Sequence, residues 1–293
     1  MTAHPQITQQ MIDLYDEYTH LTLDRRGFMA KLTALTGSGA AAAAVLPLIA
    51  ANSAHAAIVP PDDARVKAAD ISFAGATGDM KGYLVTPANA TGKLGAVIVI
   101  HENRGLNPHT RDVARRMALE GFVALAVDFL SPAGGTPDDE DKAREMIGQL
   151  NPPDTVANAV AAVKFLEGHG AVNGRAGAVG FCWGGGMVNA LAVASPDLDA
   201  GVAYYGRQAA AADVAKIAAP LMLHYAGLDE RINAGIADYE AALKAAGKDY
   251  VIHMYDGANH AFNNDTSQAR YNKEAADLAW GRTVAFFREQ LSD

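Results

Sequence analysis

The run Gly180-Phe181-Cys182-Trp183-Gly184 constrains this chain more than any other feature. It follows an apolar stretch, 178–181, that reads as a strand, and it opens a helix over 185–194. Glycines two residues either side of a central position let neighbouring backbone pass without a Cβ clash. The central residue can then occupy the strained turn between a strand and a helix. Such a turn exposes the Cys182 sulfur at the carboxyl edge of a sheet. It also sets that sulfur at a helix N-terminus, where backbone N–H groups and the dipole favour a thiolate. The same letters also suit a glycine-rich turn around a buried thiol. Cys182 is the only cysteine in 293 residues, and a lone cysteine is more often a small buried hydrophobe than a nucleophile. Its surroundings decide between the two.

From residue 65 the pattern is β, β, then alternating β and α. Residues 66–73 and 81–86 read as a hairpin around Gly75-Ala76-Thr77-Gly78-Asp79. The continuous apolar run 96–100 suits a strand buried on both faces, and 123–127, 202–205, 221–224 and 250–255 are further strands. Helices are expected over 111–120, 138–150, 154–167 with Asp154 as cap, 233–246 and 273–291. Alternation of this kind implies an α/β protein, a mostly parallel sheet with helices on both faces. No internal repeat is visible. Residues 57–293 make one catalytic domain, with 1–56 set apart.

Two further residues lie just past strands. Asp229, in Ala226-Gly227-Leu228-Asp229, follows 221–224; it suits an orienting acid and equally a helix N-cap. His260, in Gly257-Ala258-Asn259-His260-Ala261-Phe262, follows 250–255, where a surface loop histidine is the bland alternative. Chain order favours chemistry. Nucleophile, acid and histidine, each at a strand end, is the order of α/β-hydrolases. In that reading His260, held in one tautomer by Asp229, takes the thiol proton and the thiolate attacks a carbonyl carbon. Backbone N–H groups stabilise the oxyanion, one from Trp183 and one from the loop after 96–100, at Asn103.

Five segments carry a family resemblance: Ile100-His101-Glu102-Asn103-Arg104-Gly105-Leu106-Asn107; Ala178-Val179 running into Gly180-Phe181-Cys182-Trp183-Gly184-Gly185; Tyr204-Tyr205-Gly206; Gly227-Leu228-Asp229; and His260-Ala261-Phe262. Over about residues 65–293 the chain resembles the dienelactone hydrolases (carboxymethylenebutenolidases). The resemblance implies an α/β-hydrolase fold and hydrolysis of a small ester or lactone. It also implies that Glu102 contacts the resting thiol and helps generate the thiolate; an ion pair with Arg104 or Arg111 is the alternative. In the best-known members an Arg four residues after the catalytic His binds the substrate carboxylate. Here that position is Asn264, leaving Arg207 or Arg104 as substitutes, and Tyr205 and Phe262 as candidate pocket walls. Rival readings are a thiol-based redox or peroxide-responsive protein using Cys182, and a non-catalytic scaffold docking through its N-terminus.

Charge narrows the partners. A formal net charge of −9 argues against nucleic acid or an anionic membrane. His101, His109, His224 and His253 lack metal-ligand spacing, so neither a metal nor another cofactor is expected. His101 and His224 suit satisfied core positions. At the N-terminus, Arg25-Arg26, the Ala-rich run 32–51 and Ala54-His55-Ala56 read as a twin-arginine export signal leading to the periplasm. The run is too polar and broken for a permanent membrane span. Against cleavage, Ile7, Met11, Leu14, Tyr15 and Tyr18 fall at helical spacing. The competing reading keeps 7–50 as two helices in a cytoplasmic protein, packed on the domain or on a second subunit as a homo-oligomer contact.

Overall fold

Cys182 follows the end of a strand, and the chain builds a sheet edge beneath it. The computed structural model describes residues 6–20, 23–50 and 57–292. Its strands are β1 (Val66–Ala74), β2 (Asp79–Pro87), β3 (Leu94–Ile100), β4 (Val123–Asp128), β5 (Val172–Phe181), β6 (Ala200–Tyr204), β7 (Leu221–Ala226) and β8 (Tyr250–Tyr255). They form one sheet in the order β1-β2-β4-β3-β5-β6-β7-β8. β1 and β2 form an antiparallel hairpin, and β2 runs antiparallel to β4. Every pairing from β4 across to β8 is parallel. β4, β6 and β7 are buried at every residue, as strands covered on both faces must be.

Helices cover the two faces. One face carries α4 (Pro108–Leu119) and α10 (Lys273–Leu291), the other α6 (Pro152–Glu167) and α7 (Trp183–Ala194). The first core joins Val97, Val179, Val113, Met117 and Phe287. The second joins Ile98, Leu125, Ala159, Val163 and Leu191. The chain leaves β3 for β4 on one side and returns to β5 on the other. A crevice opens at such a reversal, outside the carboxyl ends of the strands. The registers Ile100↔Gly180, Phe181↔Tyr204, Tyr204↔His224 and Ala226↔Tyr255 bring those ends nearly level.

Boundaries differ from expectation in three instructive places. The cap of α6 is Asn151, whose side chain accepts from Asp154 N at 3.1 Å, not Asp154. Pro152 has no N–H to lose at the first helical position, so the helix starts earlier. The helix expected over 233–246 is shortened to α9 (Ile236–Ala245), and a separate short helix, α8 (Glu230–Asn233), precedes it, with Asp229 capping α8. The helix expected over 138–150 is α5 (Glu140–Gly148), capped by Asp139.

The N-terminal segment forms three helices rather than two, α1 (Gln9–Thr19), α2 (Arg25–Thr36) and α3 (Gly39–Ile49). Gly37, at φ +80°, ends α2, and Ser38 caps α3 through Ala41 N. Met11, Leu14, Tyr15 and Tyr18 are buried as the periodicity of 7–18 predicts, with Phe28, Leu32, Val45 and Ile49. The three helices pack on their own chain. Among the described residues no single helix is long and apolar enough to cross a membrane, and α2 and α3 meet at 108°. Ala54-His55-Ala56 lies outside the described residues.

Candidate active site

The turn after β5 is as strained as its glycines imply. Cys182 sits at φ +55° and ψ −113°, a region a side chain rarely adopts. A Cβ on Gly180 would lie 2.1 Å from Gly184 O, and one on Gly184 would lie 2.4 Å from Ile100 O. Both contacts are with backbone, so neither position admits a larger residue without shifting the turn. Cys182 N donates to Tyr204 O at 3.0 Å, tying the turn to β6. Two other non-glycine residues have positive φ among the described residues, Tyr205 at +38° and Ala261 at +65°. All three adjoin one site, where strain of about 1–3 kcal/mol per residue is typically held for function.

The Asp229 carboxylate meets both a histidine and a helix N-terminus. Its Oδ2 lies 2.5 Å from His260 Nδ1, and its Oδ1 accepts from Ile232 N at 3.2 Å. The His260 Nε2 is buried and has no hydrogen-bond partner. Ligand-type atoms of His260, Cys182 and, unexpectedly, His20 lie within 4.8 Å of one another. Burial would push the Cys182 thiol up, but the charges of His260 and His20 outweigh it and bring the thiol down to about 6. Burial disfavours charge on His260, yet Asp16, the Cys182 sulfur and Asp229 raise it well above the ordinary histidine range. Burial also opposes ionisation of Asp229, and the His260 charge overrides it and holds the carboxyl low. The electrostatics therefore favour a resting thiolate–imidazolium pair rather than a thiol beside a neutral base.

The loop after β3 supplies the opposite wall. Trp183 opens α7, whose first N–H groups have no acceptor within the helix. His101 is fully buried. It receives Phe129 N on Nε2 at 3.3 Å, and its Nδ1 lies 2.6 Å from Glu102 O. Its ring stacks on Trp183, with centroids 5.2 Å apart. His224 is likewise a satisfied core residue, between Thr283 and Tyr255. The Glu102 carboxylate accepts from Asn264 Nδ2 at 2.8 Å, and its other oxygen is buried without a partner. Asn264, which replaces the family's arginine, thus holds the glutamate that the resemblance aims at the thiol. Neither Arg104 nor Arg111 pairs with Glu102; Arg111 pairs with Asp70. Arg104 turns away from the nucleophile, to Glu140 and the Tyr15 hydroxyl at 2.9 Å each.

A cavity of about 1060 Å³ opens over Cys182, lined by Asn103, Trp183, Tyr205, Arg207 and His260 among others. Tyr205 packs its ring on His260, with centroids 4.9 Å apart. Phe262 is fully buried behind it and forms core rather than wall. Sequence reasoning missed a group from the N-terminal extension and from α8. Asp16 of α1, His20 at its C-cap and Arg231 of α8 reach the site. Arg231 Nη2 lies 2.9 Å from His20 Nε2 and 3.5 Å from Asp16 Oδ2. Asp16 and His20 are four residues apart, so one helix face carries both. That spacing was the only local signal. Two donor sets among the described residues, His20–Cys182–His260 and Asp16–Asp229–His260, have metal-ligating atoms. In the first, the Arg231 cation already occupies one imidazole nitrogen.

The strand order, the turn after β5 and the acid–histidine pair define an α/β-hydrolase. Residues 80–291 match the dienelactone hydrolase family. A putative carboxymethylenebutenolidase from Saccharolobus solfataricus is 33% identical, covering 71% of this chain and 93% of its own. A protein of the same description from Methylorubrum extorquens is 30% identical and covers 94% of this chain and 97% of its own. So long an alignment takes in much of the N-terminal extension as well. The crystal structure of a putative dienelactone hydrolase from Klebsiella pneumoniae superposes with a TM-score of 0.69 at 28% identity, covering 76% of this chain and 99% of that one. The chain belongs to the dienelactone hydrolase family, and it is a hydrolase acting on ester or lactone bonds.

Proposed function

We propose that this hydrolase opens a small ester or lactone through an acyl-thioenzyme on Cys182, with His260 as proton carrier and Asp229 as its orienting acid. The observation that carries the reading is the buried His260 ring. Its Nδ1 is held by Asp229 at 2.5 Å, while its unpartnered Nε2 is left beside the strained cysteine. The thiolate attacks the carbonyl carbon, and the oxyanion is met by the Trp183 N–H and the Asn103 loop. The C–O bond breaks, and the departing alkoxide takes the proton of His260. Water then attacks the thioester and gives its proton to the now neutral His260; the C–S bond breaks and the carboxylic acid leaves. A lactone differs in that its alcohol remains attached to the acyl group. The cavity is mostly apolar, with Arg207 exposed at its wall and in no ion pair among the described residues, which suits an apolar acyl chain with an anionic end. Rapid acid quench with p-nitrophenyl acetate should yield protein heavier by one acetyl group, mapped to the Cys182 peptide. A Cys182 peptide that stays unmodified during turnover would overturn the covalent route.

We propose also that the working enzyme keeps residues 7–50. Three polar contacts support retention. Asn103 Nδ2 donates to Thr19 O at 2.6 Å, Arg144 Nη1 to Tyr18 O at 2.8 Å, and Arg25 pairs with Asp141 at 2.6 Å. A twin-arginine signal cleaved after Ala56 would discard all of them. The intact mass of protein taken from its native cells should place the first residue upstream of Gln9. A chain beginning at Ala57 would reject retention in favour of export with cleavage.

A further inference from the structure

α1 brings a second imidazole to the nucleophile. His20 Nε2 lies 3.4 Å from Cys182 Sγ. The His20 and His260 rings meet edge-on, at 87° with centroids 4.8 Å apart. One helical turn back, Asp16 offers its backbone oxygen to His20 Nδ1 at 2.7 Å and its carboxylate at 3.4 Å. That neighbourhood fixes a hydrogen on Nδ1 and leaves Nε2 as an acceptor, shared between the Arg231 guanidinium at 2.9 Å and the sulfur. Like His260, His20 is thus held at Nδ1 with its Nε2 toward the sulfur, though by the Asp16 backbone oxygen where His260 is held by the Asp229 carboxylate.

The helix that carries His20 is positioned by the catalytic loops themselves. Asn103 holds Thr19, Arg104 holds Tyr15, and Gln9 Nε2 reaches Asn259 Oδ1 at 2.5 Å, next to His260. Three attachments of this kind, two of them on the loop after β3, give a side chain the fixed geometry that chemistry requires. Glu102, to which the family resemblance assigns the resting thiol, is engaged by Asn264 instead.

We infer that His20 is a catalytic residue, a second imidazole that shares the Cys182 proton with His260, and that Asp16 is its positioning residue. The inference rests on Cys182 being the nucleophile. The proton leaving Sγ passes to an imidazole nitrogen, giving thiolate and imidazolium, and the imidazolium returns it to the departing alkoxide. Charged groups from the packed elements bear on the pair: Asp16 from α1, Arg231 from α8, and Asp229 and His260 from the strand-end loops, while Glu102, on the loop after β3, acts on Tyr205 beside them. Arg270 acts on Asp16 from further off.

Iodoacetamide alkylation of Cys182 against pH, with thiolate absorbance beside it, reads this directly in the full-length chain. Only the thiolate reacts, so wild-type alkylation should be fast above a midpoint of about 6 and fall as pH drops through it. His20→Ala should move that midpoint up by roughly one pH unit or more, the effect of losing a cationic neighbour at hydrogen-bond distance. The acid limb of kcat/KM should move with it. His20→Gln keeps a polar side chain and the docking of α1 but cannot carry charge, so it should show the same shift at an unchanged Tm. Asp16→Asn should give a smaller shift in the same direction. A merely structural role for His20 would lower Tm and leave the midpoint where it is. An unmoved midpoint in folded His20→Ala or His20→Gln, with Cys182→Ala inactive, overturns this inference and spares the nucleophile. Wild-type turnover in Cys182→Ala overturns both.

Discussion

Cys182→Ala is expected to lower kcat/KM for p-nitrophenyl acetate by at least about 10³-fold, as removal of a covalent nucleophile does elsewhere. Folding should hardly notice. The sulfur is buried at the end of β5, and alanine keeps the same Cβ in the same strained turn, at φ +55°. The loss would therefore report chemistry, and a thermal melt run beside the assay checks that. Cys182→Ser is the sharper comparison. Its hydroxyl ionises far less readily, so the resting ion pair with His260 cannot form. The serine enzyme should be much slower than wild type and should lose the acid-side midpoint near 6 that the thiol confers. Activity retained in Cys182→Ala would show that another group attacks the carbonyl.

Asp229→Asn separates the two duties of one carboxylate. One oxygen steadies His260 and the other caps α8 through Ile232 N. Asparagine caps nearly as well as aspartate, so Tm should stay close to wild type. It cannot supply the negative charge that favours imidazolium, and kcat should fall by roughly 10⁴-fold, the scale seen when a triad acid is amidated. Asp229→Ala should be as inactive and also lose the cap, at a cost of about 1 kcal/mol, read as a few degrees of Tm. Calorimetry and kinetics on the same two proteins test both halves. An Asp229→Asn enzyme with wild-type kcat would leave the residue as a cap alone.

The sheet was legible because its signals are local. Short continuous apolar runs such as 96–100 suit strands covered on both sides, and the glycines around Cys182 announce a turn that other residues could not make. Asp229 and His260 were legible for the same reason, each lying a few residues past such a run. The missing parts depend on contacts distant in sequence. Nothing near Asp16 or His20 says that their helix face will meet residue 182, since a polar pair at helical spacing is ordinarily a solvated face. Arg104 was misleading for the complementary reason. Its neighbours in sequence suggested a pocket, whereas the partners that engage it, Tyr15 and Glu140, are supplied from elsewhere in the chain. Phe262 carried the right chemistry for a wall but faces inward, because Tyr205 takes the space in front of it.

The docking of α1 also orders events during synthesis. This helix leaves the ribosome before the residues it docks on, and its contacts wait at residues 103, 144, 231 and 259. Translation proceeds at about 5–20 residues per second, so the segment spends many seconds without its berth. Throughout that interval the nascent chain carries an amphipathic helix whose Tyr15 hydroxyl and Tyr18 carbonyl lack Arg104 and Arg144, open to chaperones or to a targeting receptor. The same docking that completes the enzyme would close that window.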